Sequence, residues 1–408
     1  MWMPMVGWPP VAEAFTKAEW KKIHKLLASD GESFGLPRSR QGFVMASWNI
    51  RKLGAVKSKS AGAWRMLAAV LSSFDLVAVQ EVQEDLEGLH HLMDLLGAGF
   101  DFVVSDTTGR FPGGEGMAER LAFVFRKSRV RRTEIVSDIS YDRSAVVKKL
   151  FEHRVQFAAA LDRWADELRD WELQRDEARA AGKDAPGKPT VDLPWFLTFI
   201  RQPHCASFEV GWGKTKRPYR FLAVNVHLHY GTRISERRQE FFGLLDWLLA
   251  HARTADRRYY PDLILLGDLN LDFDDPAEDR ERIAATLKLL NGATGRAKPA
   301  EFNFPFIDVH PGEADVFRTN ARVSETFDQI AILRRDPRLP APEANRTAGT
   351  ARGGFDYGVF RFVDVFARAL HGRDFAALPA AKRSALIRRF EHDLSDHMPI
   401  WVVLPKPE

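Results

Sequence analysis

A chain of 408 residues is long enough for one large domain or two ordinary ones, and 45% apolar with 28% charged residues is the make-up of a soluble globular protein. The formal charge of +4 permits an anionic partner without requiring one. The single cysteine, Cys205, excludes an internal disulfide framework, and no uncharged run reaches membrane-spanning length, so the expectation is a cytoplasmic protein with no membrane partner.

Residues 1–42 read as an N-terminal extension. The opening MWMPMVGWPPVAEAF is apolar but broken by prolines and lacks a basic start, so no signal peptide is expected. Thr16 is placed to cap a helix that carries Trp20, Ile23, Leu26 and Leu27 on one face and ends near Gly31. A strand follows in FVMASWNIRKLG, with Asn49 at its end. Helical spacing returns in AWRMLAAVLSSF, and DLVAVQEV reads as a second buried strand ending in Gln80 and Glu81. A polar glycine-rich loop, TTGRFPGGEGMAE, leads to a third strand over Arg120 to Lys127.

From Val147 to Ala181 the pattern changes. Val147, Leu150, Phe157, Leu161, Trp164, Leu168, Trp171 and Ala178 fall on an alternating three-and-four spacing that predicts one long heptad-like helix, ended by GKDAPGKP. It interrupts a strand-rich region, so residues 143–190 read as an insertion within a body spanning 43–404. Its apolar seam needs a cover. The same chain, the N-terminal extension and a second copy, as a homodimer through 147–181, are the three choices.

Strands resume in PWFLTFI and in RFLAVNVHLHYG, which holds Asn225 and His227. An amphipathic helix over about 235–250 precedes the central stretch, LILLGDLNLDF. A short apolar run ending in glycine reads as a strand buried on both faces. Alternation then points Asp268 and Asn270 the same way at its mouth, where polar groups are costly without partners or work. An Asx turn is the plain alternative. Further strands are expected in FPFIDVH, in ETFDQIAIL, which carries Asp328, and in YGVFRFVDVF. After a helix near 380–390, LSDHMPIWVVL supplies Asp396 and His397. No fixed-period repeat is present.

Strands outnumber helices, and helices separate only some of them. The expected fold is therefore α/β, two packed sheets with helices outside. Strand ends gathered at one rim would bring Asn49, Glu81, Asn225, His227, Asp268, Asn270, Asp328, Asp396 and His397 into one pocket.

The runs WNI, VQEV, NVHL, GDLN, FDQI and SDHMPIW, in this order, resemble the endonuclease/exonuclease/phosphatase superfamily, whose best-known fold is that of deoxyribonuclease I. The resemblance implies a four-layered α/β sandwich of two mixed β-sheets flanked by helices, here with an inserted long helix. It implies Mg²⁺-dependent attack of water on a phosphoester, with Mn²⁺ as an alternative ion. Carried over by position, Glu81 resembles the main metal carboxylate, with Asn49 beside it and Asp396 adding charge. Asp268 resembles the residue that orients or deprotonates water, and Asn270 the amide that holds a phosphate oxygen. His397 resembles the histidine paired with a carboxylate, here Asp328. Glu119 stands where the deoxyribonuclease I branch has a second glutamate, the partner of His227.

Two positions depart from the pattern. Arg51 stands where many relatives are acidic. The arginine expected before the Pro-Phe strand is missing from DLPWF, where Asp192 lies near its place, and Arg51 or Arg201 is left to supply the phosphate contact. The leading expectation is an intracellular DNA endonuclease with nucleic acid as substrate. The alternatives are a phosphatase or phosphodiesterase for a small or lipid phosphate, and an assembly protein with weak activity.

Overall fold

The computed structural model describes all of the chain except residues 1–13, 38–41, 108–117, 140–142, 190, 192–198, 212, 229–233, 255–256, 272–280, 282–284, 286–287, 290–300 and 352–353. Its strands form two six-stranded sheets. The first contains β1 (Phe43–Leu53), β2 (Leu76–Gln83), β3 (Phe100–Val104), β4 (Glu119–Arg126), β11 (Asp356–Val359) and β12 (Ile400–Leu404), in the order β11-β12-β1-β2-β4-β3. The second contains β5 (Val130–Asp138), β6 (His204–Val210), β7 (Tyr219–His227), β8 (Leu263–Asp268), β9 (Glu301–Asn303) and β10 (Asp328–Arg334), in the order β5-β6-β7-β8-β10-β9. One parallel pair lies at the centre of each, β1 with β2 and β7 with β8, and their neighbours run antiparallel.

This pairing gathers the candidate site positions. The C-terminal ends of β1, β2, β7 and β8 share one rim with the first residues of β4, β10 and β12. Residue parity does the rest. Along β8, Ile264 and Leu266 pack between the sheets, while Leu263 and Leu265 pack outward under a helix. Asp268 has the parity of Ile264 and Leu266, so it faces the space between the sheets. His227 follows Phe221 and Ala223 of β7 in the same way, and Asp328 precedes Ile330 and Ile332 of β10.

Helices cover both outer faces. On the first sheet lie α1 (Lys17–Asp30), α2 (Ala61–Leu71), α3 (Glu87–Leu96) and, later in the chain, α7 (Phe362–His371) and α8 (Ala380–Asp393). On the second lies α6 (Ile234–Arg253), through Phe241, Leu244, Leu245 and Leu248. The result is the four-layered α/β sandwich. Thr16 caps α1 in a full capping box with Glu19. Trp20 of α1 stacks edge-on against Phe366 of α7, and Phe15 packs on the same ring.

The long heptad segment is two helices, α4 (Arg143–Glu152) and α5 (Arg154–Ala180), broken at His153, where the backbone leaves helical geometry. Neither proline nor glycine marks the break in the sequence. Val147 and Leu150 of α4 are exposed. Along α5, Phe157 is buried and Trp164, Leu168 and Trp171 are half-buried. The cover for the two tryptophans is the chain's own return segment. Trp164 Nε1 donates to Pro189 O at 3.2 Å, and Trp171 Nε1 donates to Pro186 O at 2.8 Å.

Two expected strands come out differently. FPFIDVH holds a short 3-10 turn over Pro305–Ile307, because β9 has already paired just before it. YGVFRFVDVF divides between β11 and α7, whose apolar residues then follow helical spacing. Most of PWFLTFI lies outside the described residues, and so does Asp192; β6 begins only at His204.

Candidate active site

Asp268 ends β8 against two strands that approach closely. Gly267 has φ +150°, and a Cβ there would lie 1.9 Å from Val226 O, so only glycine fits before the aspartate. Beyond it, Asn270 N donates to Asp268 Oδ1 at 2.9 Å, which is the Asx turn. Asn270 takes a left-handed φ of 51°, and its Nδ2 donates to Leu228 O at 2.9 Å. The turn therefore redirects Asn270, and simple alternation does not describe its side chain. Turn and site are the same feature.

The other oxygen of Asp268 meets the site. Oδ2 accepts from Asn49 Nδ2 at 3.1 Å, and it stands 3.8 Å from His227 Nε2 and 3.5 Å from His397 Nε2. His397 Nδ1 is 2.9 Å from Asp328 Oδ2, which also accepts from Thr319 Oγ1 at 2.7 Å. Burial works against the His397 cation, but Asp328 and Asp268 on either side of the ring raise its pKa well above the ordinary value. Burial also pushes Asp328 up, yet the imidazole and the Thr319 hydroxyl favour its anion. Within the pair, the carboxylates beside the ring favour the proton on His397. Asp268, Asp328 and His397 together offer a group of side chains able to hold a metal, although both ring nitrogens of His397 already face carboxylates.

Glu81 sits at a bulge of β2, where the register against β1 and β4 shifts, and it too has a left-handed φ, 60°. A non-glycine residue in this region costs about 1–3 kcal/mol and persists only where its surroundings hold it. What holds it is visible: Lys52 N donates to Oε2 at 3.0 Å and Asn49 Nδ2 to Oε1 at 3.1 Å. Burial would raise the Glu81 carboxyl, but His227 and these donors keep it below its usual value. Because Asn49 Nδ2 serves both Glu81 and Asp268, its Oδ1 is left buried with no hydrogen-bond partner among the described residues, as is Asp396 Oδ1. Orphan carbonyl and carboxylate oxygens beside an ionised glutamate suit a hard divalent cation. Asp396 Oδ2 is 3.0 Å from Arg51 Nη1, which also meets Glu391 Oε1 at 2.6 Å. The arginine at this unusual position thus neutralises the acidic loop. Burial raises the Asp396 carboxyl, against the pull of His397 and Arg51.

Glu119, the first residue of β4, lies 3.4 Å from His227 Nδ1 but 2.8 Å from Arg201 Nε. Arg201 is the closer partner, and His227 Nδ1 makes no hydrogen bond among the described residues. Arg201 Nη1 also reaches Leu228 O at 3.3 Å, the carbonyl that accepts from Asn270. Arg201-Gln202-Pro203 runs directly into β6. Arg201 thus stands just before β6 of the second sheet, while DLPWF lies outside the described residues.

Asn225 belongs to a different layer. Its Nδ2 donates to Val79 O at 3.1 Å and Ala122 O at 2.9 Å, and its Oδ1 accepts from Gln80 Nε2 at 2.7 Å. It stitches the two sheets together beneath the site. Thr319, Ser395 and Lys59 support the site from behind, through contacts that the sequence does not reveal.

No family model matches the chain. It is 26% identical over 236 residues to a deoxyribonuclease of Thioalkalivibrio sp. (strain K90mix), covering 56% of this chain and 46% of that protein. It is 31% identical over 113 residues to deoxyribonuclease-1 of Canis lupus familiaris, covering 26% of this chain and 37% of that protein. The chain thus spans less than half the length of these two curated relatives. Among solved structures, the catalytic domain of Xenopus laevis APE2 aligns over 89% of this chain and 91% of its own, with 13% identity and a TM-score of 0.44.

Proposed function

We infer that the chain is a member of the endonuclease/exonuclease/phosphatase superfamily, on its deoxyribonuclease I-like side, and from that premise we propose that it hydrolyses phosphodiester bonds in DNA as a Mg²⁺-dependent endonuclease. The carrying observation is Asp268 Oδ2, a carboxylate oxygen that accepts from Asn49 and faces both His227 and His397. A buried carboxylate so placed can orient a water and take its proton as it attacks phosphorus. His397, protonated between its carboxylates, donates to the phosphoryl oxygens as negative charge develops there. Asn270 and Arg201, which meet at Leu228 O, supply further donors for the phosphate.

Glu81, Asn49 and Asp396 form the oxygen set we assign to the ion, with Mn²⁺ as a substitute. A bound divalent cation supplies Lewis-acid polarisation of a phosphoryl oxygen. Residues 43–404 are the catalytic body in this reading, and 143–190 are an insertion within it. The deoxyribonuclease relatives support DNA over a small phosphoester. Incubation of the purified protein with supercoiled plasmid and Mg²⁺, against an EDTA control, tests the proposal. Nicking that EDTA abolishes is expected. Intact plasmid, with release of phosphate from a small monoester, would move the assignment to a phosphatase.

A further inference from the structure

The loop that carries Asp396 and His397 is tied to the end of β1 that carries Asn49. Ser395 Oγ donates to Asn49 O at 2.7 Å, Trp48 Nε1 donates to His397 O at 2.8 Å, and Arg51 pairs with Asp396. A fourth tie comes from a residue in neither segment. Lys59 Nζ donates to Arg51 O at 2.9 Å and to Leu394 O at 3.0 Å. The lysine is itself anchored. Its neighbour Ser60 caps α2, and Asp393, the last residue of α8, accepts from Ser60 N at 2.6 Å and from Ser60 Oγ at 2.8 Å.

Lysine is almost never fully buried, and this one is 5% exposed. Burial pushes its pKa down to about 8 even with Asp393, Glu81 and Asp396 nearby. A methionine would fill similar space without that cost, so packing alone does not account for an ammonium here. What the ammonium supplies is a directed bond to a carbonyl on each of the two segments.

We propose that Lys59 is a positioning residue of the active site, holding the Asn49 end of β1 in register with the Asp396–His397 loop. The proposal deepens the phosphodiesterase reading and rests on it for the activity readout alone. Trp48 supplies an independent reporter, because its indole N–H spans the same two segments.

The test compares Lys59→Met with Val70→Ala, a core truncation in α2 remote from the site. Hydrogen exchange of the Trp48 indole, assigned with Trp48→Phe, should quicken by at least about tenfold in Lys59→Met and stay near wild type in Val70→Ala. Turnover should fall by about 10²-fold, the scale of an ångström-sized misplacement, with KM held within about threefold. Lys59→Gln keeps donors on a shorter stem and should be intermediate. It replaces Lys59→Met if that variant does not fold. Unchanged Trp48 exchange in a folded Lys59 variant, or a loss of turnover no greater than in Val70→Ala, overturns the proposal. If the wild type cleaves no phosphodiester, the functional reading falls and Trp48 exchange still decides the role of Lys59.

Discussion

His397 Nε2 and Asp268 Oδ2 face each other at 3.5 Å across the gap between the two sheets. One arrives from the loop before β12 and the other from the end of β8, so neither sheet alone holds the pair. Asp268→Asn keeps the shape and removes the proton acceptor. A loss of at least ~10²-fold in turnover is expected, the scale of removing a general base, with an unchanged circular dichroism spectrum. Near wild-type turnover in the folded variant would show that Asp268 does not act on the water.

Glu81→Gln should raise the Mg²⁺ concentration for half-maximal activity more than it raises KM for DNA. It removes the charge from the carboxylate we assign to the ion and leaves the phosphate donors Asn270 and Arg201 untouched. Titration of Mg²⁺ against initial rate measures this. An unchanged midpoint would shift the ion towards Asp268, Asp328 and His397, the other group able to hold a metal.

Gly267→Ala tests the backbone beneath Asp268. The added Cβ would meet the Val226 carbonyl of β7 at 1.9 Å, and backbone cannot step aside as a flexible side chain can. A loss of about 3 kcal/mol or more in unfolding free energy is expected from strain of this kind, read by urea denaturation. A variant as stable as wild type would mean that β7 and β8 part easily at the rim.

Lys59 gives stability a pH dependence of known sign. Its folded pKa is about 8 against 10.5 for the unconstrained side chain, so between those values the unfolded chain binds more protons. Stability from this group therefore rises with pH across that window, by roughly 3 kcal/mol in full. The difference in unfolding free energy between wild type and Lys59→Met should shift in favour of wild type from pH 8 to 10.5. A pH-independent difference would mean that Lys59 titrates alike in both states.

Light scattering addresses the inserted helices. Because the return segment covers Trp164 and Trp171, the expected state at micromolar concentration is a monomer, and Leu161→Glu should leave it unchanged, Leu161 being 45% exposed. A wild-type dimer that Leu161→Glu dissociates would make the outer side of α5 an interface between copies.

The sequence made the strands of the site legible because their apolar runs are buried on both faces and end in polar residues. Parity then carried Asp268, His227 and Asp328 to the same space. It failed at Asn270 and Glu81, where left-handed backbone breaks alternation. It also misled at Asn225, whose polar side chain satisfies the inner faces of both sheets instead of the rim. Arg201 was named only as one of two candidates, because nothing in the sequence separates it from Arg51 as the phosphate contact. The break at His153 leaves no local mark. The supporting roles of Lys59, Thr319 and Ser395 were not legible, although Ser395 opens the SDHMPIW run, since each works through a partner that only the folded chain brings near.

The hydrogen bonds of Gln80 and Asn225 have a mechanical consequence. Apolar packing between two sheets is nearly indifferent to small sliding, whereas a hydrogen bond is directional. Gln80 of the first sheet and Asn225 of the second lock at 2.7 Å one layer below the candidate site. They work like the detent of a vernier, setting one scale against the other where a fraction of an ångström counts. On the proposed function, alignment of the site is thus set by two amides that never meet the phosphate, and a shear of the sandwich is expected to abolish activity before it unfolds the chain.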